Sequence, residues 1–149
     1  MSEINATAIK TVSVIGMGYI GLPTCAIFAS RDLDVIGIDV NPAVVEKVNR
    51  GEIHIVEPDL DGLIQKVVAN GRLRAATTPQ PADAFVIAVP TPITEDHKPD
   101  ISYVLSAAQS IAPVLKRGDL VVLESTSPVG TTRKMTALLA ELRPDLRFP

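Results

Sequence analysis

An α/β fold, built as a doubly wound parallel sheet with helices on both faces, is what the sequence predicts, and three observations predict it. Short apolar runs rich in β-branched residues alternate with longer segments of helical period. Most of those short runs are continuously apolar rather than alternating, as expected of strands covered on both faces. Helix-cap residues and glycines fall between the two kinds of segment.

The strands are expected at Thr11–Ile15 (TVSVI), Val35–Ile38 (VIGI), Leu73–Thr77 (LRAAT), Phe85–Val89 (FVIAV) and Leu120–Leu123 (LVVL). Between them lie stripes spaced i, i+3 and i+4. The first is Leu22, Cys25, Ala26, Ala29; the second is Leu60, Leu63, Ile64, Val67, Val68. The third runs Val104, Leu105, Ala108, Ile111, Ala112, Leu115, and the last Met135, Leu138, Leu139, Leu142. Asn41-Pro42 reads as an N-cap followed by proline at the first helical position, Asp100 as a cap ahead of Ile101, and Ser127-Pro128 as another candidate cap. Gly51, Gly71 and Gly118 stand where helices should stop, Glu57-Pro58-Asp59 where one should start, and Pro144 closes the last helix. The longest stretch without structure is expected at Thr91–Pro99.

Composition excludes several functions. The 149 residues suffice for one domain, and 46% hydrophobic residues supply its core. A net charge of -3 with no long basic run disfavours nucleic acid as a partner. No apolar run approaches the roughly 18 residues that span a bilayer, and Met1–Lys10 does not read as an export signal. Cys25 is the single cysteine, which rules out an internal disulfide and suits the reducing cytoplasm. No Cys/His cluster has the spacing of a zinc site. Aromatics at 3%, with no Trp, leave little for stacking platforms.

The chemistry gathers after the expected strands. Gly16-Met17-Gly18-Tyr19-Ile20-Gly21 matches GxGxxG directly after the first strand and opens a helix. In that pattern Gly16 permits a tight turn, Gly18 lets backbone approach a pyrophosphate, and Gly21 lets the helix pack closely. Tyr19 and Ile20 lie in the same turn. Asp39 ends the second strand, eighteen residues past Gly21 and near the usual offset of about 20 for the carboxylate that binds the adenosine ribose. No Arg follows it to neutralise a 2′-phosphate, so the cofactor expected is NAD, on a Rossmann-type sheet. Pro90-Thr91-Pro92 follows the fourth strand and Glu124–Gly130 the fifth. Prolines such as Pro90 hold the backbone extended beside a dinucleotide, and Thr91 and Thr126 offer hydroxyls toward the nicotinamide half. Cys25 reads as a packing residue of the first helix, His54 and His97 as loop or cap hydrogen-bonders, and Arg133 and Lys134 as a solvated face.

From Thr11 onward the chain resembles the N-terminal domain of the UDP-glucose/GDP-mannose dehydrogenase family. The residues that carry the likeness are GMGYIGLP (Gly16–Pro23), IGIDVN (Ile36–Asn41), NRGEIHIVEPDL (Asn49–Leu60), AVPTP (Ala88–Pro92), KPDISYV (Lys98–Val104) and ESTSPVGTT (Glu124–Thr132). The Asn49–Leu60 element points to the N-acetylmannosamine branch. The resemblance implies two NAD-dependent oxidations of the C6 alcohol of a UDP-sugar to a uronate, for surface polysaccharide, in a homodimer. It places Thr126 near the nicotinamide as an auxiliary catalytic group, and Asp39 and Thr91 as cofactor contacts. The family's nucleophilic cysteine lies on a later segment that Cys25 does not match. Residues 1–149 are therefore expected to be one NAD-binding domain, without the central helix and UDP-sugar domain, binding cofactor without turnover. Two other readings stay open: the cofactor domain of another dehydrogenase of this fold, of 6-phosphogluconate or 3-hydroxyacyl-CoA type, and a stand-alone dinucleotide-sensing module.

Overall fold

The computed structural model describes residues 8–149. The chain runs β1 (Thr11–Ile15), α1 (Gly21–Ser30), β2 (Asp34–Ile38), α2 (Pro42–Asn49), α3 (Leu60–Ala69), β3 (Leu73–Ala76), β4 (Ala84–Ile87), α4 (Ser102–Ile111), a 3-10 turn (Ala112–Val114), β5 (Leu120–Leu123) and α5 (Thr131–Leu142). The five strands pair in parallel in the order β3-β2-β1-β4-β5. Strand order therefore reverses between β1 and β4, the Rossmann-type arrangement expected from the alternation of elements. Among the described residues, no helix is long and apolar enough to cross a membrane, and no cluster of ligating side chains could hold a metal ion.

Strand periodicity divides the core in two. Val12, Val14, Val35, Ala84 and Val86 face α1 and α3, where they meet Leu22, Cys25, Ala26, Ile64 and Val67. The alternate residues Ile36, Ile38, Phe85 and Ile87 face α4 and α5, against Val104, Ala108, Ile111, Met135 and Leu139. Most of each expected stripe is buried, with Ala107 added on α4, Leu63, Val68, Leu105 and Leu138 half-buried and Leu142 exposed. Edge strand β5 departs from the expectation of two covered faces. Val121 and Leu123 pack inward, while Leu120 and Val122 on the other face are 48% and 39% exposed.

Other boundaries shifted for identifiable reasons. β3 stops at Ala76 rather than Thr77, and the ladder of β4 is Ala84–Ile87 rather than 85–89. Helix α4 ends at Ile111, because Pro113 cannot donate to the carbonyl four residues back; Gly118, at φ +90, serves the turn into β5 instead of a helix end. Gly51 and Gly71 take positive φ just past α2 and α3 as expected. The 91–99 stretch is a small hairpin, with Ile93 bridged to Pro99 and the Thr94 N–H donating to the Lys98 carbonyl at 2.8 Å. The β3 to β4 link has no helix at all. Residues 77–83 cross two intervening strands in an extended run, whose reach of roughly 23 Å exceeds the roughly 14 Å of lateral travel, and Ala82 plugs into the second core on the way.

At the opposite, amino edge of the sheet, Asp83 ties the start of β1 to β4. Its Oδ2 accepts the N–H groups of Lys10 and Thr11 at 2.9 and 3.0 Å, with Lys116 Nζ 3.8 Å from its other oxygen. Those two amides, and then the Lys116 charge, hold the Asp83 carboxyl below the usual carboxylate range.

Two outcomes follow from this packing. Phe85→Ala, at a fully buried central position, should cost about 3–5 kcal/mol in urea unfolding, whereas Leu120→Ala on the open flank should cost less than about 1 kcal/mol; equal losses would contradict the two-faced core. A depressed native pKa means that stability is present above the ordinary aspartate value and is lost as pH falls through the lowered one. The stability difference between the wild type and Asp83→Asn should accordingly be full at neutral pH and close as urea midpoints are followed down below about pH 4; a gap independent of pH would exclude this role.

Candidate functional site

At the carboxyl edge, the loops after β1, β2, β4 and β5 enclose a cleft of about 920 Å³. It lies at the reversal of strand order, where sheets of this kind bind ligands. Gly16, Gly18, Tyr19, Ile20, Asp39, Pro90, Thr91 and Thr126 all line it. The structure thus gathers every sequence-selected site residue but one. Gly21 sits beneath the turn: a Cβ there would run into the Gly16 carbonyl oxygen, so glycine at this position serves the tight passage from turn to helix.

The turn itself is over-determined. The Gly16 N–H donates to the Ile38 carbonyl at 2.7 Å, which anchors the turn to β2. Gly16 has φ +99, and a Cβ on it would lie 2.6 Å from the Ala88 carbonyl oxygen. Met17, which sequence reasoning passed over, is fully buried, and a Cβ on Gly37 of β2 would collide with its sulfur. Gly18 contrasts with both, since a Cβ there would meet nothing within 4 Å. No described residue accepts from the N–H groups of Gly18, Tyr19 or Ile20. Those donors crown the N-terminus of α1, whose dipole favours negative charge.

Asp39 has a second task that its spacing did not disclose. Oδ2 accepts the Met17 N–H at 3.1 Å and Oδ1 accepts the Asn41 N–H at 3.0 Å. The carboxylate therefore braces the glycine turn on one side and the start of α2 on the other. Asn41 caps α2 as expected, with Oδ1 accepting from Ala43 N–H at 3.0 Å and Pro42 at the first position. Asp100, one residue before the Ile101 N-cap, receives the Ser102 N–H at 2.9 Å, and the Ser102 hydroxyl first and then that N–H hold its carboxyl below the usual range.

Beyond β5, Ser127-Pro128 does not cap a helix. Pro128-Val129-Gly130 forms a further turn, Gly130 takes φ +93, and α5 begins at Thr131, whose hydroxyl donates to the Pro128 carbonyl at 2.7 Å. Ser125 is fixed by donation from its hydroxyl to the Ile87 carbonyl at 3.2 Å, and Thr126 beside it is exposed to the cleft. The second wall comes from α4, where Tyr103, Ser106, Ala107 and Ser110 form an i, i+3, i+4, i+7 row. Its signal was in the sequence, as a small and polar stripe beside the apolar one, but the apolar stripe alone was read.

The remaining candidates stay outside. Cys25 is completely buried, and loss of hydration pushes its thiol pKa well up, so it packs and does not attack. Arg133 and Lys134 are exposed on α5 and do not line the cleft. His97 occupies the hairpin turn at φ 56, its N–H donating to the Thr94 carbonyl at 2.9 Å. His54 departs from the expected loop hydrogen bond, for its Nδ1 is buried without a partner.

Residues 10–148 match the UDP-glucose/GDP-mannose dehydrogenase family, NAD binding domain. The chain is similar to UDP-N-acetyl-D-mannosamine dehydrogenase of Escherichia coli (strain K12), 66% identical over 139 residues that make up 93% of this chain and 33% of that protein. It is 60% identical over 140 residues to NDP-N-acetyl-D-galactosaminuronic acid dehydrogenase of Ralstonia nicotianae, covering 94% of this chain and 33% of that one. Among solved structures, UDP-D-ManNAc dehydrogenase from Pyrococcus horikoshii superposes with a TM-score of 0.86 at 42% identity, covering 90% of this chain and 32% of that chain. The chain spans about a third of the length of the curated relatives it matches.

The geometry of the turn makes Gly16→Ala strained twice over, in φ and in contact with Ala88. It should lower stability by about 1–3 kcal/mol, read from the urea midpoint; an unchanged midpoint would mean that the turn can relax away from β4.

Proposed function

The chain belongs to the UDP-glucose/GDP-mannose dehydrogenase family as its NAD-binding domain, and on that premise we propose that the cleft binds NAD with the adenosine ribose at Asp39 and the nicotinamide half at the ends of β4 and β5. The observation that carries this reading is Gly18: its open Cβ direction and the free N–H groups beside it belong to the same cleft that Asp39 and Thr126 line. The donor set fits the group. Backbone amides at a helix N-terminus suit a pyrophosphate, and a carboxylate suits vicinal hydroxyls while repelling a 2′-phosphate. Pro90 and Thr91 would bound the nicotinamide end from β4, and Thr126 would present its hydroxyl there from β5. Tyr19 and Ile20, 67% and 59% exposed, would cover the pyrophosphate from the solvent side.

When bound, NAD supplies a hydride acceptor; the chain's part is to orient it and to exclude the phosphorylated cofactor. In the whole protein we place this domain before a central helix and a UDP-sugar domain, in a homodimer. The reaction proposed is oxidation of the C6 alcohol of a UDP-sugar, UDP-N-acetylmannosamine first among candidates, through an aldehyde level to the uronate. The identities of 66% and 60% to dehydrogenases of two N-acetylated nucleotide sugars support that class. The reactive thiol belongs to another segment, because the buried Cys25 cannot serve as nucleophile.

Calorimetric titration should detect NAD and give at least about tenfold weaker binding of NADP, a difference of about 1.4 kcal/mol. Gly18→Ala should leave the melting temperature unchanged yet weaken NAD at least about tenfold, because the added methyl meets only the ligand. Asp39→Ala should weaken NAD as well, and no NADH should form when the chain alone is given UDP-sugars. NAD binding indifferent to Gly18→Ala would sink the proposed pose.

A further inference from the structure

Among the described residues, the cleft is lined by two charged side chains and no cationic one. They stand at opposite ends, Asp39 after β2 and Glu124 after β5. Asp39 is accounted for by the turn it braces and the ribose proposed for it. Glu124 has no such assignment. Its Oε1 accepts from Thr24 Oγ1 of α1 at 2.8 Å, and among the described residues its Oε2 has no hydrogen-bonded partner.

We infer that Glu124 is a charge selector that makes the cleft hold oxidised NAD more tightly than NADH. The inference rests on the proposed placement of the nicotinamide half beside β5. The oxidised ring carries one positive charge that reduction removes, whereas the pyrophosphate and both riboses are the same in the two forms. The dipole of α1 and the Asp39 carboxylate therefore act on both forms alike. A carboxylate at the nicotinamide end repels the pyrophosphate of both forms alike but attracts the ring of one only, and no neighbouring cation in the lining cancels it. Thr24 fixes that carboxylate at the mouth of the cleft, at the boundary between α1 and the open flank of β5. For an enzyme that oxidises one substrate twice, a weak hold on the reduced cofactor favours its exchange between the steps.

Glu124→Gln removes the charge and keeps an oxygen that can accept from Thr24. Binding of NAD by calorimetry and of NADH by its own fluorescence, on the 149-residue chain at low salt, reads the effect. The expected result is about 3–10-fold weaker NAD with NADH changed by less than about twofold, and Glu124→Lys should shift the ratio further the same way. Thr24→Val, which deletes the hydroxyl and leaves the charge, should hold the ratio within about twofold. Higher salt should shrink the wild-type preference. Equal weakening of both ligands by Glu124→Gln would overturn the inference and make Glu124 a strut between α1 and β5, and an unchanged ratio in both the Gln and Lys variants would overturn it too. Failure of the unaltered chain to bind either form would instead refute the cofactor reading, and this inference with it.

Discussion

The Gly16 N–H meets the Ile38 carbonyl at 2.7 Å, and the geometry of the whole carboxyl edge hangs on that bond. It ties the exit of β1 to the end of β2 while the chain reverses at φ +99, hard against the backbone of Ala88 at the end of β4. Three strands of the sheet thus fix one residue. Met17 is then driven into the core opposite Gly37, and its N–H is held by Asp39. With the turn set, α1 must start at Gly21 with its free N–H groups facing the cleft. Preorganisation of this kind means that an anion arriving there does not have to order the loop that receives it.

Elements whose signal is local were legible in the sequence. Each strand core, the stripes of α1 and α3, the caps at Asn41 and Asp100 and the stops at Gly51 and Gly71 depend on residues within one turn or one ladder. What escaped depends on partners far along the chain. Asp39 was selected for its distance from Gly21, but its bond to Met17 exists only because β2 lies beside β1. Met17 is one of the variable positions of GxGxxG, and its burial follows from the absent side chain of Gly37, twenty residues later. Leu120 and Val122 read as covered because apolar residues predict burial, yet whether a helix reaches an edge strand is a property of the layer, not of the strand. Ser127-Pro128 carried a good cap signature, which lost to a glycine that could take φ +93 three residues on.

The missing helix between β3 and β4 makes room for the site. Were that crossover helical, it would pack on the second face beside α4. The extended 77–83 run instead lays Thr77 and Pro79 along the cleft wall opposite Tyr103, Ser106 and Ser110 of α4. The strap carrying Pro79 and the polar face of α4 thereby both border the cleft.

Charge placement completes the logic of the cleft. A site for a pyrophosphate could be built with a lysine or arginine, and the charge of such a side chain would offset the attraction of a carboxylate for the oxidised ring. In the proposed pose the attraction for phosphate comes from amides at the start of α1, and among the described residues the cleft lining holds no cation opposite the two carboxylates. Their repulsion toward phosphate is a penalty common to both forms of the cofactor and is weakened by distance from the centre of the cleft. What survives in the difference is the term that depends on ring charge. On the proposed pose, a cleft that meets phosphate through its backbone is free to use its ionised side chains for discrimination: Asp39 against a phosphorylated ribose, Glu124 against a reduced ring.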